Sequence, residues 1–149
     1  MATPAPETSI WLALKAQVES LSLSPALTVA YPNEDFTPPT ASGVATNYLR
    51  VFQLRNENET VTLGTTGTTR HFGILQISLI CQKDKNIAIA TEIAGDIAEH
   101  FKLNTVLLYS GIYVRVERPP VVGSLITNPS EPMAEIPISI RYQADTQRS

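Results

Sequence analysis

His71-Phe-Gly-Ile-Leu-Gln-Ile-Ser-Leu-Ile-Cys81 and, after a short polar connection, Ile89-Ala-Thr-Glu-Ile-Ala-Gly-Asp-Ile-Ala98 are the stretches that decide the fold. In an extended chain Ile74 and Ile80 fall on one side, and Leu75, Ile77 and Leu79 on the other. Apolar residues on both sides predict a strand in the interior of a sheet. The period then changes from two to nearly four. Ile89, Ile93, Ile97 and Phe101 form one row, flanked by Ala90 and Ala94, while Glu92, Asp96 and Glu99 fall outside it. That pattern predicts an amphipathic helix capped by Asp84 or Asn86 and ending near Phe101. Gly95 inside it costs about 1 kcal/mol against alanine, so close packing on the sheet is the expected reason for it.

Outward from this unit, Gly111 to Glu117 alternates Ile112, Val114 and Val116 with Tyr113, Arg115 and Glu117, a half-buried strand that Pro119-Pro120 stops. Ala134 to Tyr142 alternates Ile136, Ile138, Ile140 and Tyr142 with Pro137, Ser139 and Arg141. Pro137 lacks a ladder donor, which predicts an edge strand or a bulge. On the other side, Tyr48 to Leu54 reads as a strand with Leu49 and Val51 opposite Arg50 and Phe52. The polar run 55–70 reads as a long connection with a short strand near Thr60–Leu63. It has few apolar anchors besides Val61 and Leu63, so it is expected to order only on assembly.

Towards the N-terminus, three prolines force a loop over Tyr31-Pro-Asn-Glu-Asp-Phe-Thr-Pro-Pro39, and Leu27–Tyr31 before it is a short strand. Trp11, Leu14, Val18 and Leu21 make the apolar stripe of a first helix, capped by Thr8 or Ser9 and ended by Ser22-Leu-Ser-Pro25. Residues 1–7 read as a flexible arm and 143–149 as a polar tail. The whole is a single domain of α+β class: one mixed, mainly antiparallel sheet of about five strands packed with two helices.

The 149 residues are 43% apolar and 17% charged, with net charge −3 and the two signs interspersed. No basic cluster suits a dedicated nucleic-acid face. The single Cys81 excludes an intrachain disulfide and a multi-cysteine zinc site, and its apolar surroundings predict a buried structural thiol. No apolar run is long enough to span a membrane. The N-terminus has no secretory pattern, so synthesis in the cytoplasm is expected and the sequon at Asn58 is discounted.

Gly64-Thr-Thr-Gly-Thr-Thr-Arg70 lacks the ending of a phosphate loop and precedes a strand. His71 and His100 form no metal or acid–base pattern, Glu34-Asp35 reads as a solvated turn in preference to a cation site, and Trp11 reads as core. No catalytic, metal or cofactor-binding residue is expected. The candidates are instead for a subunit interface. Arg50, Arg115 and Arg141 lie on strands opposite the apolar set, and Thr65, Thr66, Thr68 and Arg70 lie in the polar connection.

Three stretches together resemble the tail-terminator proteins of long-tailed bacteriophages. They are Ser9-Ile-Trp-Leu-Ala-Leu-Lys15, the 31–39 loop followed by Tyr48-Leu-Arg-Val-Phe52, and His71–Ser78 leading into Ile89–Ala98. The resemblance covers roughly residues 8–142 and rests on fold signatures, so no site residue is carried over with it. It implies a structural subunit without enzymatic activity that forms a homo-oligomeric ring, a hexamer. The ring caps the tail tube at the head-proximal end of the virion tail, after assembly in the host cytoplasm. The implied partners are the chain itself, the tail tube protein and a head-side connector protein. DNA only passes through the lumen, and no membrane is involved. Another head–tail completion protein and, more remotely, a small hydrolase or ligand-binding domain remain as alternatives. A pocket with converging titratable groups would favour the last.

Overall fold

The computed structural model describes residues 5–21, 23, 27–41, 43–55, 58–60, 67–82, 87–109, 111–127 and 133–147. In chain order the elements are α1 (Pro6–Glu19), β1 (Val29–Ala30), β2 (Thr40–Ala41), β3 (Val44–Ala45), β4 (Tyr48–Arg55), β5 (Glu59–Thr60) and β6 (Thr68–Gln82). Then follow α2 (Ile87–His100), β7 (Val106–Tyr109), β8 (Ile112–Val116), β9 (Val121–Val122) and β10 (Met133–Gln147). The main sheet runs β1-β4-β6-β10-β8-β7, with β5 on β6 and β9 on β10; β2 and β3 pair separately. Among the described residues only β1 and β4 run parallel; the other pairs are antiparallel. The α+β class holds, with more strands than the expected five.

β6 is central as its pattern requires, held by β4 on one side and β10 on the other. Register places Leu49, Leu79 and Ile136 in one row, Val51, Ile77 and Ile138 in the next, and Leu75 beside Ile140 in a third. All these side chains are buried, and α1 and α2 join them in one core through Ile10, Leu14, Val18, Ile93, Ile97 and Phe101. Each such aliphatic residue contributes about 1.5–3 kcal/mol on leaving water. The helices meet at their C-terminal ends, where Gln17 Nε2 donates to the carbonyl of His100 at 3.0 Å.

Several expectations fail, each for a local reason. α1 begins at Pro6, not at a Thr8 or Ser9 cap. Proline at the first helical position has its φ pre-set and no N–H to leave unsatisfied. The helix therefore takes in residues expected in the arm, and it ends at Glu19, before Leu21. Its buried stripe is Ile10, Ala13, Leu14 and Val18, while Trp11 sits half-buried at the margin, edge-on to Tyr31 with ring centres 6.3 Å apart. The caps expected at Asp84 or Asn86 lie outside the described residues. Within α2 the i+4 row holds from Ile93 to Phe101, but Ile89 is 64% exposed and Ala90 takes its place in the core. A β-carbon on Gly95 would meet nothing within 4 Å, so no packing among the described residues requires that glycine.

β10 is not an edge: it has β6 on one flank and β8 and β9 on the other. In an antiparallel ladder a residue's N–H and C=O face the same neighbour. Gly123 donates to the Pro137 carbonyl at 2.7 Å, and Glu135 exchanges both bonds with Ile126 at 2.9 and 2.7 Å. The missing N–H of Pro137 therefore faces the short β9 segment, where pairing is thin, and leaves the long β6 ladder unbroken.

The supposed polar tail and the end of the polar connection are partners. Gln143–Gln147 pair with Phe72–Thr68. Arg70 bridges to Asp145 with Nε–Oδ1 at 2.8 Å, and His71 Nε2 lies 2.8 Å from Thr146 Oγ1. Glu59 and Thr60 pair with Arg70 and Thr69, as the expected short strand near residue 60 required in part. The connection thus begins and ends in the sheet, through Glu59–Thr60 and Thr68–Arg70. Its centre, residues 61–66, lies outside the described residues.

Candidate functional site

The helices cover one face of the sheet; the other is largely open. Alternation along each strand decides which side chains reach it. It receives Arg50, Phe52 and Leu54 from β4, Phe72, Ile74 and Gln76 from β6, Ser139, Arg141 and Gln143 from β10, and Tyr113 and Arg115 from β8. One end is closed: the Phe36 ring stacks on Tyr48 with centres 5.1 Å apart, and Tyr48, Ser78 and Ile80 are buried there. Beyond that end Leu54 is 51% and Tyr113 61% exposed, and Val106 and Leu108 of β7 add further apolar surface.

The three arginines chosen from the sequence all stand exposed on this face. Register places Arg50 across from Ser78, Arg141 across from Ile74, and Arg115 across from Gln143, a diagonal from β4 to β8. Arg50 makes only a long 3.4 Å contact with the Tyr48 hydroxyl. With its amide turned to satisfy both neighbours, Gln143 accepts from Arg115 at 2.5 Å and donates to Glu117 at 3.2 Å. Among the described residues no ion pair engages Arg50, Arg115 or Arg141. Arg70 differs, being committed to Asp145, and Thr68 lies in β6 opposite Gln147. Thr65 and Thr66 lie outside the described residues. A shallow recess of about 360 Å³ opens between Arg70, Tyr113, Arg115, Gln143 and Asp145.

Sequence reasoning picked the arginines of this surface and set Phe52 and Tyr113 beside them, but named none of its apolar side chains as interface candidates. Phe52, Leu54, Phe72, Ile74 and Tyr113 carried the signal, as large apolar residues at the outward parity of half-buried strands. An exposed face of that mixture, apolar with unpaired arginines, has the composition of a protein-binding surface.

The titratable groups elsewhere are absorbed by the fold. His100 Nε2 lies 2.9 Å from both the Gln17 carbonyl and Ser20 Oγ, sealing the two helices together. Burial holds the Cys81 thiol above its ordinary pKa, as suits a structural cysteine. Glu34 pairs with Lys15 at 3.1 Å, and the Lys15 ammonium lies 4.7 Å from the Tyr31 ring centre. Glu7, Arg55, His71 and Tyr142 do converge on a recess, of about 120 Å³. It is well below the roughly 300–1,000 Å³ of small-molecule sites. Tyr142 already accepts from Gln53 at 2.6 Å, and His71 is held by Thr146. Among the described residues no three His, Cys, Asp or Glu side chains are grouped to hold a metal ion, and no helix is long and apolar enough to cross a membrane.

Comparison with known proteins gives this surface a setting. A solved structure superposes with a TM-score of 0.74 over 95% of this chain and 96% of its own, at 24% identity, which establishes a shared fold. No curated protein sequence matches. The family model described as phage tail terminator protein matches residues 9–142, nearly all of the described core. The chain belongs to the phage tail terminator protein family.

Proposed function

We propose that this chain is the repeating subunit of a homo-oligomeric ring, a hexamer, that binds the head-proximal end of a completed tail tube and ends its growth. Family membership makes it a structural component of the phage tail, and that match over residues 9–142 carries the reading. The open sheet face supports it, because a subunit that works by contact needs apolar and hydrogen-bonding surface left over after folding. Its position at the tail's upper end, assembly in the host cytoplasm and a head-side connector as second partner belong to the same proposal. Catalysis has no part in it. Nor does a DNA-reading surface: the open face sets Arg50, Arg115 and Arg141 among apolar side chains and the carboxylates of Asp145 and Glu135, and DNA would only pass through the lumen.

A tube that adds identical rings exposes the same end after every addition, so growth has no internal stop. A terminator supplies one by matching that end with one surface and presenting a different surface outward. A preference of about 1.4 kcal/mol for capping over one more ring is already tenfold. A phage lacking this chain should make tails of irregular and excessive length that fail to join heads, seen directly in electron micrographs. Tails of normal length left without heads would assign it to the connector instead, and normal infectious particles would remove it from tail assembly.

A further inference from the structure

The open sheet face has a complement on the opposite side of the same molecule. α2 covers the inner face of β6 and β10 through Ala90, Ile93, Ala94 and Ile97, so its other side points away from the sheet. That side carries Glu92, Asp96 and Glu99, all exposed, with Ile89 exposed at its margin. Among the described residues no ion pair engages these three carboxylates. Between them lies Gly95, around whose missing β-carbon there is open space. The described residues therefore set arginines without an ion pair and partly exposed apolar side chains in front, and carboxylates without an ion pair, an exposed Ile89 and a helical glycine behind.

We infer that α2 of one copy lies on the open sheet face of the next copy, joining subunits front to back. The charges match in sign and in spacing. Arg141 and Arg115 stand on adjacent strands two residues apart, about 8 Å by strand geometry. Glu92 and Asp96 stand about 6 Å apart along a helix, within reach of two long guanidinium side chains. Ile89 finds apolar counterparts in Phe52, Leu54 and Ile74. Gly95 acquires a purpose it lacks in the lone subunit, since without a side chain the helix backbone can approach the sheet closely. Front and back are different surfaces, so the contact is head-to-tail, the kind that closes into a ring when its rotation permits. The inference rests on the ring reading above and specifies which surfaces meet.

The test uses the full chain. Gly95→Leu adds a good helix former into open space, so the free subunit should melt no lower than wild type, while self-association measured by sedimentation falls at least tenfold. Arg141→Glu and Asp96→Arg should each weaken association by a similar factor, and mixing the two variants should restore mixed dimers. Disulfide cross-links between separately made Arg141→Cys and Asp96→Cys chains should appear only in the mixture. If wild type assembles but Gly95→Leu assembles equally well and the mixtures neither recover nor cross-link, the surfaces are wrong and the ring stands. If wild type stays monomeric even with tail tubes added, ring and surfaces fall together.

Discussion

The two faces of the β6–β10 ladder are built from the same residues in alternation and have opposite fates. Inward, Leu75 with Ile140, Ile77 with Ile138 and Leu79 with Ile136 are sealed in the core; outward, Ile74 sits beside an exposed Arg141 and Gln76 beside a half-buried Ser139. One step along the chain separates a position that stabilises the subunit from one that the subunit does not need. The largest effect should come from crossing that line. Ile77→Asp places a carboxylate where nothing can pair with it and should cost several kcal/mol, enough to unfold a domain of ordinary stability. Ile97→Asp, on the helix above, should do the same. Ile74→Asp, three residues from Ile77 on the outward parity, should cost about 1 kcal/mol. Urea midpoints of the three variants check this, and similar midpoints for Ile77→Asp and Ile74→Asp would erase the distinction between the faces.

Two glycines sharpen the same contrast at smaller magnitude. Gly73 faces inward beneath the Tyr142 ring, which lies directly across the ladder from it. A β-carbon there would press on the Tyr142 hydroxyl and stand 2.6 Å from the Leu54 carbonyl oxygen. Backbone cannot swing aside, so Gly73→Ala should cost about 1–3 kcal/mol. Gly95→Ala, on the solvent side of α2, should gain up to about 1 kcal/mol by helix propensity alone. Thermal melts of the free subunit would show the opposite signs; a loss at both positions would mean that the space around Gly95 is not open.

The contrast also has an alkaline signature. Burial first, then the nearby Glu19 and Glu34, push the Tyr31 hydroxyl up from 10.0 to about 12, and burial raises that of Tyr142. A folded-state value above the unfolded one means that the folded chain holds its proton longer. The stabilisation is therefore complete below pH 10 and is lost as pH rises from 10 towards 12. Melting temperature should fall across that window, and Tyr31→Phe should reduce the slope without abolishing it, since burial raises Tyr142 in the same direction. An unchanged slope in Tyr31→Phe would return Tyr31 to solvent.

What the sequence disclosed follows from what side-chain patterns can carry. The centrality of β6, the half-buried β8 and the buried face of α2 from Ile93 to Phe101 were legible because burial writes a period into the residues themselves. Thr68–Arg70 and Gln143–Gln147 were not, because each is polar and becomes a strand only through the other. Backbone pairing makes them, and Arg70–Asp145 and His71–Thr146 fix the pairing across a gap of some 75 residues. Pro137 misled for a related reason: it reports a missing donor but not the direction in which that donor would have pointed. The arginines of the open face were legible by parity against Leu49, Val114 and Ile140. Leu54 and Ile74 were not, because they look like core until the sheet is seen to lack a second layer.

The smallest expected effect is the most diagnostic for the open face. Arg50→Gln, Arg115→Gln and Arg141→Gln should each change the stability of the free subunit by no more than about 0.5 kcal/mol, as for exposed surface positions outside any ion pair. Arg115→Gln should be the least neutral of the three, because only Arg115 holds a short bond, the one to Gln143. Arg50 is two strands away from Arg141 and has no partner in common with it, so their changes should add. A triple variant that folds with a wild-type midpoint would establish that the fold does not need these three charges, and that their exposure on one face serves something outside the subunit. A triple variant that loses several kcal/mol would reverse the conclusion. The arginines would then be part of what holds the sheet together, and the outer face would be as structural as the inner.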